Sequence, residues 1–260
     1  MPDGEAVEER RALTAESLQA KFRGNRPLLG GHRGNADECP ENTLASFRSA
    51  IELAVDVIEC DVHLSDDRQL AVIHDHLIDR TTNGTGLVRD YTMAELKAFD
   101  AGSWKDPRFS GETVPSLPEV LQLAKGNVGV AIEIKNLPLP YEGIEERVVE
   151  AVAAAGMIEE VVVISFDHRS VKRVRELEPR IMTGVLEASR PVDPLRVMAD
   201  AGAEVFCPHW AAIDPDTAHL LHAAGKLIGV WTIDDPFALA WSRALPANAI
   251  YTNKPREIRP

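Results

Sequence analysis

The sequence predicts an α/β chain folded as a (β/α)8 TIM barrel, with an extra β-hairpin arm followed by a small inserted subdomain. Three features point there. Short β-branched apolar runs alternate with helical patterns from residue 28 onward, as expected of βα units around a parallel sheet. Setting one hairpin arm aside leaves eight such runs, most of them followed by a helix. In the C-terminal half, Asp193-Pro194, Asp214-Pro215 and Asp235-Pro236 recur every 21 residues. Asp as N-cap with Pro at the first helical position starts a helix, and Gly202 and Gly225 supply the matching stops.

Residues 1–26 read as a charged, helical N-terminal extension, and 27–260 as the barrel domain. The candidate strands are Leu28–Gly31, Val57–Val62, Leu70–Ile73, Val128–Ile134, Val161–Ile164, Ile181–Leu186, Val205–Cys207, Leu227–Thr232 and Ala249–Thr252. Only Ser65 to Gln69 separate Leu64 from Leu70, too few residues for a parallel crossover, so Leu70–Ile73 returns antiparallel. If Leu64 faces Gln69, Glu59 falls opposite His74. The stretch from about 84 to 118 is long for a connection and is expected to cover the barrel mouth. No G-x-G-x-x-G follows a strand, so a dinucleotide site has no support.

Composition narrows the function. The chain has 260 residues, 45% of them apolar, and a net charge of −13. It has no Lys/Arg block to bind nucleic acid or an anionic bilayer, so neither is expected as a stable partner. An anionic substrate must then be drawn by local cations or a bound metal. Cys39, Cys60 and Cys207 lack the spacing of a zinc or redox site and read as buried free thiols. No apolar signal core opens the chain and no run approaches the roughly 18 residues of a membrane span, from which a soluble cytoplasmic protein is expected.

The chemistry gathers on two strands. In VIECDVHL, Glu59 and Asp61 share a face, and in VAIEIK, Glu133 and Lys135 do. Carboxylates within apolar strands are costly unless paired or bound to a cation. Three of them near the strand ends suit Mg²⁺ or Ca²⁺ better than zinc. A buried ion pair of Glu133 with Lys135 or Arg33 is the simpler alternative for a single strand. His32 ends the first strand and His74 ends the hairpin arm. Two imidazoles beside an oxyanion-binding metal, with Arg33 and Lys135 near, suit phosphoryl chemistry, one taking a proton and the other giving one. His63, His76, His168, His209, His219 and His222 read as packing residues.

HRG at 32–34, PENT at 40–43, ECD at 59–61, HD at 74–75 with DRTT at 79–82, EIK at 133–135 and VWT at 230–232 resemble, in order, the glycerophosphodiester phosphodiesterase family. The resemblance implies a TIM barrel with a small insertion and a divalent metal on Glu59, Asp61 and Glu133. It implies His32 and His74 as general acid and base, Arg33 and Lys135 as phosphate contacts, and Glu41 as a supporting residue. The expected substrate is a glycerophosphodiester, cleaved to glycerol 3-phosphate and an alcohol. Phe166 and Trp231 are candidates to pack against the glycerol or headgroup. The family commonly carries W-T-V-N and T-D-x-P where this chain has Trp231-Thr232-Ile233-Asp234 and Thr252-Asn253-Lys254-Pro255. A lysophospholipase D or phosphoinositide-type phospholipase is the alternative enzyme, and an inactive barrel serving as a binding protein the alternative from another class.

Overall fold

The computed structural model describes residues 17–260; the first part of the expected N-terminal helix lies outside them. The elements in chain order are α1 (Leu18–Phe22), β1 (Leu28–Gly31), α2 (Leu44–Glu52), β2 (Val57–Leu64), β3 (Leu70–Val72), α3 (Met93–Leu96), α4 (Leu117–Ala124), β4 (Gly129–Ile134), α5 (Ile144–Ala155), β5 (Val161–Ser165), α6 (His168–Leu177), β6 (Met182–Glu187), α7 (Pro194–Ala201), β7 (Val205–Pro208), α8 (Pro215–Ala223), β8 (Leu227–Val230), α9 (Pro236–Arg243) and β9 (Ala249–Thr252). The sheet order is β1-β9-β8-β7-β6-β5-β4-β2-β3, and a further β1–β2 pairing closes eight parallel strands into a barrel. β3 alone is antiparallel.

The alternation of side chains along each strand sorts the core into two shells. Ile58, Cys60, Val62, Val130, Ile132, Val163, Val185, Phe206 and Ile228 face outward and are buried beneath the helices with Phe47, Leu121, Val148 and Leu221. Val57, Ala131, Val162, Met182, Val205 and Tyr251 fill the interior, where Leu18 and Phe22 of α1 join them. The N-terminal helix is thus packed into the barrel's own core. Tyr251 is accommodated because its neighbour is glycine: a Cβ on Gly30 would lie 2.3 Å from the Tyr251 ring.

The Asp-Pro units start helices as the spacing predicts. Asp193, Asp214 and Asp235 accept from the N–H groups of Arg196, Thr217 and Phe237, each cap worth about 1 kcal/mol. Gly202 caps α7 with φ +68°.

The hairpin register differs from the expected one by one residue: Leu64 pairs with Leu70. Ser65 N–H donates to the Gln69 carbonyl at 2.9 Å, leaving a three-residue loop whose last member, Arg68, is left-handed at φ +59°. That bulged turn absorbs one residue. Ile73 is consequently level with Asp61, its N–H 3.0 Å from the Asp61 carbonyl, and His74 emerges one step beyond.

The inserted stretch packs Val88, Met93, Leu96, Ala101 and Val114 into a satellite core with Ala71, Ile73 and Ile78. It also clasps the loop after β1, through Lys105 Nζ to the Ala36 carbonyl and Arg108 to the Glu38 carbonyl. None of its residues lines the central cavity, so it flanks the mouth where a cover was expected. Among the described residues, no helix is long and apolar enough to cross a membrane.

Candidate active site

At the C-terminal ends of the strands lies a cavity of about 100 Å³, lined among others by His32, Arg33, Glu59, His74, Glu133, Lys135, Phe166 and Trp231. Asp61 stands directly behind it, fully buried and in register with Glu133 across β2 and β4. One oxygen from each of Glu59, Asp61 and Glu133 comes within 4.8 Å of the others. The expected grouping of three carboxylates on adjacent strands is therefore present.

Two cations share that space. Lys135 Nζ lies 2.6 Å from Glu133 Oε1 and 3.0 Å from Asp61 Oδ1. The backbone N–H of Arg33 donates to Glu59 Oε2 at 2.9 Å, and its guanidinium donates to Glu41 Oε1 at 2.8 Å. Glu59 Oε1 is buried and has no hydrogen-bond partner among the described residues. Burial, then repulsion by Asp61 and Glu133, pushes the Glu59 carboxyl well above its usual range. Burial likewise raises Glu133, to about 7. Burial acts on Asp61 in the same sense, but Lys135 and Arg33 outweigh it and hold that carboxylate well below its usual range. An orphaned carboxylate oxygen in an all-oxygen donor set fits a hard divalent cation. These residues can hold one.

The turn after β1 is built for this arrangement. Arg33 is left-handed at φ +55°, and Gly34 follows at φ +86°, where a Cβ would lie 2.4 Å from Ser46 Oγ. Ser46 Oγ donates to the Arg33 carbonyl at 2.8 Å, so the HRG turn is pinned onto α2. From PENT, Asn42 donates to Asp61 Oδ2 at 2.7 Å. Glu41 lies outside the three-carboxylate group, and its oxygens accept from Arg33 and Arg80.

The two histidines have different partners. His74 Nδ1 lies 2.7 Å from Asp75 Oδ1, and Arg80 Nε donates to the other Asp75 oxygen at 2.7 Å. His32 Nδ1 lies 2.8 Å from Asn253 Oδ1. Desolvation, with Arg33 adding to it, lowers the His32 imidazole to about 4, and desolvation lowers His74. The two departures from the family pattern, Asp234 and Asn253, meet each other, with Asn253 Nδ2 donating to Asp234 Oδ2 at 2.6 Å.

Phe166 and Trp231 form an edge-to-face pair with centroids 5.6 Å apart on the apolar side of the cavity, with Ile164, Leu186, Cys207 and Tyr251. The three cysteines are free and buried, and burial pushes the Cys207 thiol up, against a role as nucleophile. None of the other six histidines lines the cavity. His63 is locked between the Tyr141 hydroxyl at 3.1 Å and the His74 carbonyl at 3.0 Å, a packing role that also fixes the backbone at His74. Asn42, Asp75 and Tyr251 are site residues given no role from the sequence, and Asp234 and Asn253 stood out there only as departures from the family pattern.

Comparison with known proteins gives the family. The family model for the glycerophosphoryl diester phosphodiesterase family matches residues 32–257. The glycerophosphodiester phosphodiesterase of Caldanaerobacter subterraneus subsp. tengcongensis is 38% identical over 208 residues, covering 80% of this chain and 86% of that protein. That of Bacillus altitudinis is 35% identical over 228 residues, covering 86% and 93%. Among solved structures, an Oleispira antarctica phosphodiesterase in complex with the product sn-glycerol-3-phosphate superposes with a TM-score of 0.81 at 29% identity, covering 89% of this chain and 95% of that one. The glycerophosphodiester phosphodiesterase of Agrobacterium tumefaciens gives 0.79 at 30% identity, covering 88% and 97%. The chain belongs to the glycerophosphoryl diester phosphodiesterase family.

Proposed function

We infer that the protein hydrolyses glycerophosphodiesters to glycerol 3-phosphate and an alcohol, using a divalent metal held by Glu59, Asp61 and Glu133. The observation that carries this is the meeting, in one cavity, of two histidines from separate strand ends with Glu59, Glu133 and the cations Arg33 and Lys135, the third carboxylate of the group, Asp61, standing directly behind. Mg²⁺ and Ca²⁺ both suit the donor set. When bound, the metal would offset charge on the phosphoryl oxygens.

The protein's own part is orientation and proton transfer. Arg33 and Lys135 hold the phosphate. Phe166 and Trp231 pack against the glycerol or headgroup. His32 removes a proton from the substrate's 2-hydroxyl, whose oxygen bonds to phosphorus while the bond to the alcohol breaks. His74, whose imidazolium is favoured by Asp75, protonates the leaving alcohol. Water then opens the cyclic glycerol phosphate. Proximity favours this intramolecular attack, and Cys207, with its raised thiol, is a poor competing nucleophile.

The test is a coupled assay for glycerol 3-phosphate over glycerophosphocholine, glycerophosphoethanolamine and glycerophosphoinositol, with lysophosphatidylcholine and phosphatidylinositol as lipid arms. Turnover of the water-soluble diesters is expected to lead. Faster release of lysophosphatidic acid or inositol phosphate from the lipids would assign the site to a phospholipase instead.

A further inference from the structure

The hydrogen-bond chain behind His32 is directional. Three donors converge on Asp234: Thr252 Oγ1 at 3.0 Å and the Asn253 N–H at 2.8 Å reach Oδ1, and Asn253 Nδ2 reaches Oδ2 at 2.6 Å. With its amide nitrogen committed to that carboxylate, Asn253 turns its oxygen to His32 Nδ1. An oxygen acceptor there requires the proton on Nδ1. That leaves Nε2 as the ring nitrogen with the lone pair, on a residue that lines the cavity. The chain is anchored on the barrel: Thr252 ends β9 and is fully buried, and Ile233 N–H donates to the Tyr251 carbonyl at 2.9 Å.

We propose that Asp234 is a positioning residue that, through Asn253, sets the tautomer of His32 so that the Nε2 lone pair faces the substrate hydroxyl. The proposal rests on His32 as the general base. His74 needs no such relay, because its Nδ1 meets the carboxylate of the next residue directly. At His32 the carboxylate sits one link back, and a neutral amide transmits its orientation. Asp234→Asn reverses the chain. The new amide keeps its oxygen on Thr252 and the Asn253 N–H and presents NH₂ to Asn253, which rotates to offer its oxygen. The Asn253 NH₂ then meets His32 Nδ1, and the imidazole proton moves to Nε2, where it blocks proton acceptance. Adding Asn253→Asp restores an acceptor against Nδ1 and a donor against that acceptor. Asn253→Asp alone sets two carboxylates against each other.

The experiment combines ¹⁵N NMR of histidine-labelled protein at pH 8, with the His32 signals assigned by their loss in His32→Gln, and steady-state kinetics on glycerophosphocholine. The native protein should show the Nδ1–H tautomer. Asp234→Asn should show Nε2–H and lose roughly 10²–10⁴-fold in kcat, with KM changed by no more than about threefold. The Asp234→Asn/Asn253→Asp exchange should recover Nδ1–H and at least about a tenth of native kcat. Retention of Nδ1–H in Asp234→Asn, or a folded double variant that keeps Nε2–H, overturns the relay. If the double variant does not fold, Asn253→Ala decides. With the link cut, adding Asp234→Asn should change neither tautomer nor kcat, and a further change in either refutes transmission through Asn253. The tautomer is read without turnover, so an inactive native protein would refute the hydrolase reading while leaving the relay to be judged separately.

Discussion

Asp61 and Glu133 stand opposite each other in the register of β2 and β4, and a single side chain, Lys135, touches both carboxylates, at 3.0 and 2.6 Å. Removing one partner from a buried ion cluster costs about 3–5 kcal/mol, because the charges left behind are uncompensated. Lys135→Met is therefore expected to lower the melting temperature strongly in EDTA and much less in saturating Mg²⁺ or Ca²⁺, which supplies the missing positive charge. Thermal melts with and without metal check this. An equal loss in both conditions would show that Lys135 and the metal do not share the same carboxylates.

Glu59 behaves in the opposite sense. Its Oε1 is buried without a hydrogen-bond partner among the described residues, so its charge opposes folding until a cation arrives. Glu59→Gln is expected to leave the metal-free protein as stable as the native one, or more so, while weakening metal binding by at least about tenfold. Melts in EDTA and calorimetric titration with Mg²⁺ and Ca²⁺ give the two readings. A destabilised metal-free variant would contradict the orphaned-oxygen account.

His32→Ala and His74→Ala should each lower kcat by roughly 10²–10⁴-fold with metal affinity unchanged. A substrate lacking the 2-hydroxyl should bind comparably and turn over far more slowly. Turnover of that analogue at the parent rate would exclude the cyclic route.

Much of this was legible in the sequence. Strand count, the hairpin and the Asp-Pro helix starts follow from local patterns that act within one element. Glu59, Asp61 and Glu133 stand out because charged residues are expensive on inward-facing strand positions, and His32 and His74 because they follow on the ends of β1 and the hairpin arm. The hairpin register was not legible, since it depends on Arg68 taking a left-handed conformation that its residue type does not announce. Nor were the roles of Asn42, Asp234 and Asn253, the last two visible only as departures from the family pattern. Each acts by a hydrogen bond to a residue far along the chain, as Asn253 does to His32, and only the closed barrel brings those partners together. The insertion misled for a related reason: its length signals an extra unit, but the side on which it packs is set by Ile73, Ile78 and Val114 meeting in three dimensions.

Asp75 links stability to pH. Burial works to raise its carboxyl, but hydrogen bonds from Arg80 and His74 prevail and hold it at about 2. A depressed carboxyl contributes stability above its ordinary value near 4 and loses that contribution as pH falls toward 2. With a side chain 30% exposed, the contribution is expected to stay below about 1 kcal/mol after screening. The difference in unfolding free energy between native protein and Asp75→Asn should be largest at neutral pH and shrink as pH falls through that window. Denaturant unfolding at pH 7, 4 and 2.5 measures it, and a difference that grows on acidification would contradict the sign.

The most direct test of the metal-dependent diesterase follows glycerol 3-phosphate release from glycerophosphocholine by purified native protein, first in excess EDTA and then after add-back of Mg²⁺ or Ca²⁺, with Glu133→Gln in parallel. The site predicts no product in EDTA, restored turnover on metal addition, and little or no recovery in the variant. Full turnover in EDTA, or no glycerol 3-phosphate under any metal condition, would contradict it.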